Sequence, residues 1–334
     1  MTRAAWKELE APDPSLEAGL RSRLEEVEAA LAEATISEVP LVASAAGYLL
    51  EAGGKRFRPL LVLLGGHFGD PADRRLVPGA AAIELTHMAT LYHDDVIDEG
   101  ATRRGIPSVN ARWDNTVAIL AGDFLFARAS QISSDLGTEV TRLLAETIAR
   151  VCEGQIREVE ILGRLDADEA SYMEVIRRKT AALIATSCRL GGMLSGAESP
   201  VIEGLERFGH ALGLAFQLSD DIMDLIAEAA ILGKEPGSDL KEGVYTLPVI
   251  YALNESARRD ELRALLAAGP PDDERLAAAL DIVRSDGVLD RARDAVTREV
   301  RQAMAEAESL PPGRARDALV HLSGFIAVRC GAPA

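Results

Sequence analysis

With 334 residues, 48% of them hydrophobic but only 4% aromatic, the chain can bury a large core of Leu, Ala, Val and Ile rather than of rings, a composition that favours helices. Its formal charge of −17 argues against nucleic acid as a partner, because phosphate-backbone binding needs a basic face. Three cysteines without CxxC spacing argue against a disulfide framework, the opening MTRAAWKELEAPDP lacks the apolar stretch of a signal peptide, and no run of about twenty apolar residues could span a bilayer; the expectation is a cytoplasmic protein with no transmembrane segment.

In chain order, helix signals dominate and strand signals are nearly absent. The stretch from about 15 to 34 is amphipathic, and Pro40 separates it from a second periodic stretch ending near Leu50. Gly53 and Gly54 predict a turn, and Pro59 suits the first turn of the apolar run LLVLLGGHFG, which stops at Gly69, Asp70 and Pro71. From about 73 to 99 the pattern predicts one long buried helix in which Ile83, Leu85, Met88 and Leu91 lead to the acidic segment LYHDDVIDEG. Further helices are expected over about 117–134, 137–162 and 169–194, the last preceded by Asp166 and Glu169 at capping-box spacing. Ser199 and Pro200 resemble an N-cap and first-turn pair, opening a helix that carries Phe208, Leu212 and Phe216 to a second acidic segment, FQLSDDIMDL. A loop with Gly233, Pro236, Gly237 and Gly243 follows, then TLPVI and more helical pattern to about Val328. No Pro-, Gly- or Ser-rich linker divides the chain, so the expectation is one all-α domain, 1–334, a single large helical bundle.

The two acidic segments repeat one pattern: Asp94, Asp95 and Asp98, then Asp220, Asp221 and Asp224. A residue and its fourth successor share a helical face, so each segment presents two carboxylates to one point. Such carboxylates need a counter-charge. Hard cations such as Mg2+ take oxygen ligands and share them with substrate phosphates, so the repeated pattern suggests a diphosphate held through metal. The first cluster also lies at the C-terminal end of its helix, where the dipole disfavours anions, which argues against a purely structural role. Basic residues concentrate in GGKRFRP (Lys55, Arg56, Arg58) and RRG (Arg103, Arg104), suited to oppose a small polyanion. His87 lies seven residues, two helical turns, before Asp94 on nearly the same face, whereas His93 reads as a hydrogen-bonded core histidine. Phe124 and Phe126 read as core, and Cys152 and Cys188 as small buried apolar side chains.

In order along the chain, GGKRFRP, HMATLYHDDVIDEGATRRG, GDFLFARAS, RKTAAL, FQLSDDIMD and LGKEPGSDLKEGVYTLPVI resemble the signature set of the trans-isoprenyl diphosphate synthases, the polyprenyl synthetase family, over about residues 45–250. One DDxxD alone would be a weak sign; six motifs in the family's order are a strong one. The resemblance implies an isoprenoid synthase bundle with a central cavity between two Asp-rich helices, working as a homodimer. It implies prenyltransferase chemistry, the head-to-tail (1'-4) condensation of isopentenyl diphosphate with an allylic diphosphate: the allylic diphosphate ionises, the alkene attacks the carbocation, and a proton is lost. Metals and cationic donors would stabilise the charge that builds on the departing pyrophosphate.

By that similarity, Asp94, Asp98 and Asp220 lead the ligands of Mg2+, three ions per site, with Asp95, Asp221 and Asp224 as further ligands or standing behind them. Arg103, Lys179, Thr180, Gln217 and Lys234 match positions that contact the allylic diphosphate; Asp94, Asp98, Arg103, Lys179, Asp220 and Lys234 form the implied catalytic set. Lys55, Arg58, His87 and Arg104 match positions that hold isopentenyl diphosphate. Taken alone, Thr180 and Gln217 are ordinary helix residues, raised only by their motifs. Where many relatives have Lys in EGKxTLP, this chain has Val244, with Lys241 the nearest substitute in sequence.

In this family the growing chain runs beside the helix before the first aspartates, and bulky residues there act as a floor. Ala89 stands five residues before Asp94, about 7.5 Å along the axis, with Thr86 and Ile83 deeper, and none is aromatic. A medium- or long-chain all-trans product, heptaprenyl to nonaprenyl, is therefore expected, with a geranylgeranyl product as the alternative. A terpene cyclase would have little reason to keep GGKRFRP and RRG. A metal phosphohydrolase would need more spaced histidines than five supply, and a noncatalytic partner subunit of a heteromeric synthase would have no need of both acidic motifs.

Overall fold

Local signals account for several of the helix starts. Asp13 accepts from the Ser15 and Leu16 amides, both at 2.9 Å, and Pro14 takes the first helical position of α1, Pro14–Ala34. The buried stripe of α1, Leu16, Leu20, Leu24, Val27 and Leu31, follows the three-four spacing of one helical face. Pro40 opens α2, Pro40–Glu51, and α3 is Phe57–Gly66. α4, Leu76–Ile97, is apolar and buried over most of its length. It starts later than the expected 73, because the Arg75 amide and guanidinium both bond the Asp73 carboxylate and make a turn there.

The computed structural model describes residues 13–226, 236–285 and 287–333. Beyond α4 it contains α5, Val109–Arg112; α6, Asn115–Leu136, capped by Asp114; α7, Thr138–Ile161; α8, Glu169–Ile176; α9, Ala182–Ser195; and α10, Ser199–Ile226. Helices Ser238–Glu242, Leu247–Glu255, Arg259–Leu266, Asp273–Val283, Val288–Glu308 and Arg314–Arg329 follow. The only sheet among the described residues is a hairpin of Thr102–Arg103 and Ile106–Pro107, so the chain is all-α as expected. Arg104 (φ 54°) and Gly105 (φ 76°) form its turn, and two successive positive φ angles are what a type I′ hairpin requires.

The described residues fall into two compact units. Those up to Ile148, with Leu183–Gly209 and Glu306–His321, form the first; Ala149–Ala182, His210–Ala305 and Leu322–Ala334 form the second. In the first, α3 and α9 meet backbone to backbone: a Cβ at Gly65 would stand 2.6 Å from the Cys188 carbonyl, and one at Gly191 2.1 Å from that of Val62. Around this crossing Leu61, Val62 and Leu190 are fully buried, each worth about 1.5–3 kcal/mol relative to exposure. In the second unit Ile222, Leu247, Ala252, Ile282, Val296 and Val300 have no exposed surface and form a separate core. Among the described residues no helix is long and apolar enough to cross a membrane.

Several local expectations need correction. The helix expected over 169–194 is broken by a π-helical turn, Arg177–Ala181, between α8 and α9. Its cap is Asp168, which accepts from the Ser171 amide at 2.7 Å, while Asp166 is held by Arg164. Ser199 and Pro200 both lie inside α10, whose first turn bonds back to the Glu198 carbonyl. Cys152 is exposed rather than buried, whereas Cys188 is buried. Phe124 and Phe126 are half-buried: Arg128 covers the Phe124 ring at 5.0 Å, and His93 packs 5.7 Å from Phe126. His93 is likewise half-buried, hydrogen-bonded through Nε2 to the Ile119 carbonyl at 3.1 Å.

Candidate active site

α4 carries the first acidic cluster. Asp98 is exposed at the helix end, its amide bonding the Asp94 carbonyl at 2.8 Å, and Asp94 is half-buried. Asp95 differs from both: it has no exposed surface, and Arg103 donates through Nε (2.8 Å) and Nη2 to its Oδ1. Burial raises the Asp95 pKa, with Arg103 only partly offsetting it, and Oδ2 is buried without a hydrogen-bond partner. Burial also opposes the Arg103 charge, but Asp95, with Asp94 and Asp98 nearby, outweighs it and holds the guanidinium above its ordinary range.

Seven residues up α4, His87 Nε2 lies 3.1 Å from Nη1 of Arg58. A guanidinium can only donate, so Nε2 accepts and the neutral ring carries its proton on Nδ1. Burial, reinforced by Arg58, Arg104, Arg103 and Arg56, pushes the imidazole well below its usual pKa. GGKRFRP and RRG thus meet around His87. Lys55 is exposed, and Arg104 donates Nη1 to the Leu49 carbonyl at 2.8 Å and to that of Gly53. On the same helix Ala89, Thr86 and Ile83 are fully buried, with Thr86 Oγ1 bonded to the Ala82 carbonyl at 2.9 Å.

The second unit holds the other predicted residues. Asp221, on α10, is 1% exposed, and both its oxygens are filled: Gln217 Nε2 donates to Oδ1 at 3.0 Å and the Tyr172 hydroxyl to Oδ2. Burial pushes its pKa well up; Tyr172 and Gln217 oppose this and the Asp239 and Asp220 charges add to it. Thr180 extends the chain by donating to Gln217 Oε1 at 2.8 Å. Asp224 is buried and accepts from the Ser238 hydroxyl at 3.0 Å, and Asp220 is more exposed and pairs with Arg329. Lys179 lies in the π turn and pairs with Glu158 of α7. α7 approaches so closely that a Cβ at Gly154 would stand 2.5 Å from the Lys179 amide nitrogen. Lys241 pairs with Asp273 at 2.9 Å, and Lys234 lies outside the described residues.

The two motifs are alike at their first two positions but not at the last, where Asp98 is exposed and Asp224 buried. Their middle aspartates, Asp95 and Asp221, are buried and held by protein donors, while Asp94, Asp98 and Asp220 keep more exposure. Among the described residues no three His, Cys, Asp or Glu side chains converge on a ready-made metal cage. The donor set still fits Mg2+, which is bound through one or two carboxylates with substrate phosphates completing its shell. Tyr172, Glu158 and Arg329 were not apparent from sequence. They reach their partners across 49, 21 and 109 residues, and no local spacing reports such contacts.

The Polyprenyl synthetase family model matches residues 39–283. The chain is 44% identical over 286 residues, 85% of each chain, to a nonaprenyl diphosphate synthase of Mycobacterium tuberculosis. It is 40% identical to heptaprenyl diphosphate synthase component 2 of Geobacillus stearothermophilus, covering 93% of this chain and 97% of that one. A polyprenyl synthase of Caulobacter crescentus, solved with calcium and isoprenyl diphosphate, superposes with a TM-score of 0.88 at 29% identity over 98% of both chains. With its ordered motifs and its paired acidic clusters, the chain belongs to the polyprenyl synthetase family and is a prenyltransferase.

Proposed function

We propose that the enzyme condenses isopentenyl diphosphate head-to-tail with an allylic diphosphate, releasing pyrophosphate, and repeats the step to a medium- or long-chain all-trans product, heptaprenyl to nonaprenyl. The observation that carries this reading is the coexistence of two acidic clusters with a separate group of cations around a neutral His87. One diphosphate needs metal and must leave; the other needs only to be held.

Asp94, Asp98 and Asp220 would hold Mg2+, three ions per site, which supply the Lewis acidity that offsets charge on the departing pyrophosphate. By the family's motifs, Arg103, Lys179 and Lys234 would add positive charge toward the leaving group, and Thr180 and Gln217 would contact the allylic diphosphate. Asp95, Asp221 and Asp224 stand behind the ligands. In the reaction the allylic C1–O bond breaks and pyrophosphate leaves, the C4 alkene carbon of isopentenyl diphosphate bonds to that C1, and the cation this leaves at C3 loses a proton from C2 to form the new C2=C3 double bond. Lys55, Arg58, Arg104 and His87 hold the isopentenyl diphosphate meanwhile. The small Ala89, over Thr86 and Ile83, leaves room for a product longer than fifteen carbons.

We further infer that 1–334 acts as one isoprenoid synthase domain in a cytoplasmic homodimer. The name of the Geobacillus relative, a component of a synthase, favours a second reading in which this chain works with a different subunit. Incubating the purified chain with Mg2+, isopentenyl diphosphate and farnesyl diphosphate, then sizing the prenyl product, tests both. Elongation by the chain alone is expected; no elongation with any allylic primer would overturn the main reading.

A further inference from the structure

Arg56 is the cation of GGKRFRP that the reaction leaves without a role. It is 4% exposed, and its guanidinium is fully engaged: Nε and Nη2 fork onto Glu28 of α1 at 2.6 and 3.2 Å, and Nη1 reaches Glu84 of α4 at 3.0 Å. Its backbone is left-handed, at φ 47°, a conformation an arginine keeps only when its surroundings over-determine it. The loop before it is pinned as well. A Cβ at Gly54 would stand 2.6 Å from Nη1 of Arg56 and 3.0 Å from Nη1 of Arg104, and Arg104 bonds the Leu49 and Gly53 carbonyls. With glycine there, two guanidinium groups close on the backbone; a side chain would push them aside.

The clamp has one end on α4. Glu84 lies three residues, less than one turn, before His87, whose Nε2 meets Arg58. Fixing Arg56 against Glu84 therefore fixes its neighbours Lys55 and Arg58 against the helix that carries His87. We propose that Arg56, held by Glu28 and Glu84, is a positioning residue that sets Lys55 and Arg58 on α4 and so determines affinity for isopentenyl diphosphate without touching it. This rests on the assignment of Lys55, Arg58 and His87 to that substrate.

Arg56→Met and Glu28→Leu, titrated calorimetrically with isopentenyl diphosphate and with farnesyl diphosphate, test it. Arg56→Met should weaken isopentenyl diphosphate about tenfold and leave farnesyl diphosphate within about twofold, because a small displacement of a binding group is costly. Glu28→Leu separates position from charge. It removes a negative group, so a purely electrostatic account requires tighter binding, whereas positioning requires weaker binding of isopentenyl diphosphate alone. Its substitution site is partly exposed, so it carries the test if Arg56→Met does not fold. Val300→Ala, a core change in the second unit, should lower the melting temperature without moving either affinity. Unchanged isopentenyl diphosphate binding in both variants, or tighter binding by Glu28→Leu, overturns the proposal while the substrate assignment stands. A wild-type protein that binds farnesyl but not isopentenyl diphosphate overturns the assignment and the proposal together.

Discussion

The carboxylates of the two acidic motifs do different work, and mutation should separate them. Asp94→Ala and Asp220→Ala remove side chains that are not fully buried, so turnover should fall about a hundredfold or more with circular dichroism unchanged; near-wild-type turnover in either would count against the metal assignment. Tyr172→Phe instead leaves Asp221 Oδ2 buried and unmet, which should cost about 1–3 kcal/mol of stability and lower turnover less severely. His87 sets a pH dependence. Its folded pKa lies well below the ordinary 6.5, so the unfolded chain binds more protons in the interval between the two values, and stability falls as pH drops below about 6.5. His67, lowered by burial and Arg23, acts in the same direction. Melting curves between pH 7 and 5 should show this loss, and His87→Gln should flatten it. The aspartates and cations were legible in sequence because their chemistry demands those residue types at helical spacing. Asp221 was legible as a carboxylate but not as one filled by a tyrosine on another helix.

Among the elements, α4 was read nearly to its ends, because its apolar pattern persists over six turns and tertiary packing had nothing to overrule. The segment from 169 to 195 was not. A π turn keeps helical composition while adding one residue per turn locally, so no propensity marks it; the close contact at Gly154 does, and that lies on another helix. Gly154→Ala should force Arg177–Ala181 to shift, since its new Cβ would meet backbone rather than a flexible side-chain end. Turnover should drop at least about tenfold with a modest change in melting temperature, and an unaffected turnover would detach the π turn from catalysis. On α4 the expected measuring role of Ala89 is checked by Ala89→Phe, which should shorten the product seen by chromatography; an unchanged distribution would move the floor elsewhere.

For the molecule as a whole, a net charge of −17 is no obstacle to a polyanionic substrate, because charges farther away than about 8–10 Å are screened at physiological salt, while the arginines around His87 are not. Composition spoke to class and was right about helices, but it could not indicate that each compact unit is assembled from three separate stretches, which depends on long-range packing. The distribution of thiols has a practical consequence. Cys152 is exposed on α7, two residues from the glycine that abuts the π turn, while Cys188 and Cys330 are each 1% exposed, and burial raises the Cys188 thiol further from reactivity. A native chain should therefore accept a single maleimide dye and the same chain in denaturant should accept three, as counted by intact mass. That gives a single fluorescent label on α7, the helix whose Glu158 pairs with Lys179, without engineering the protein.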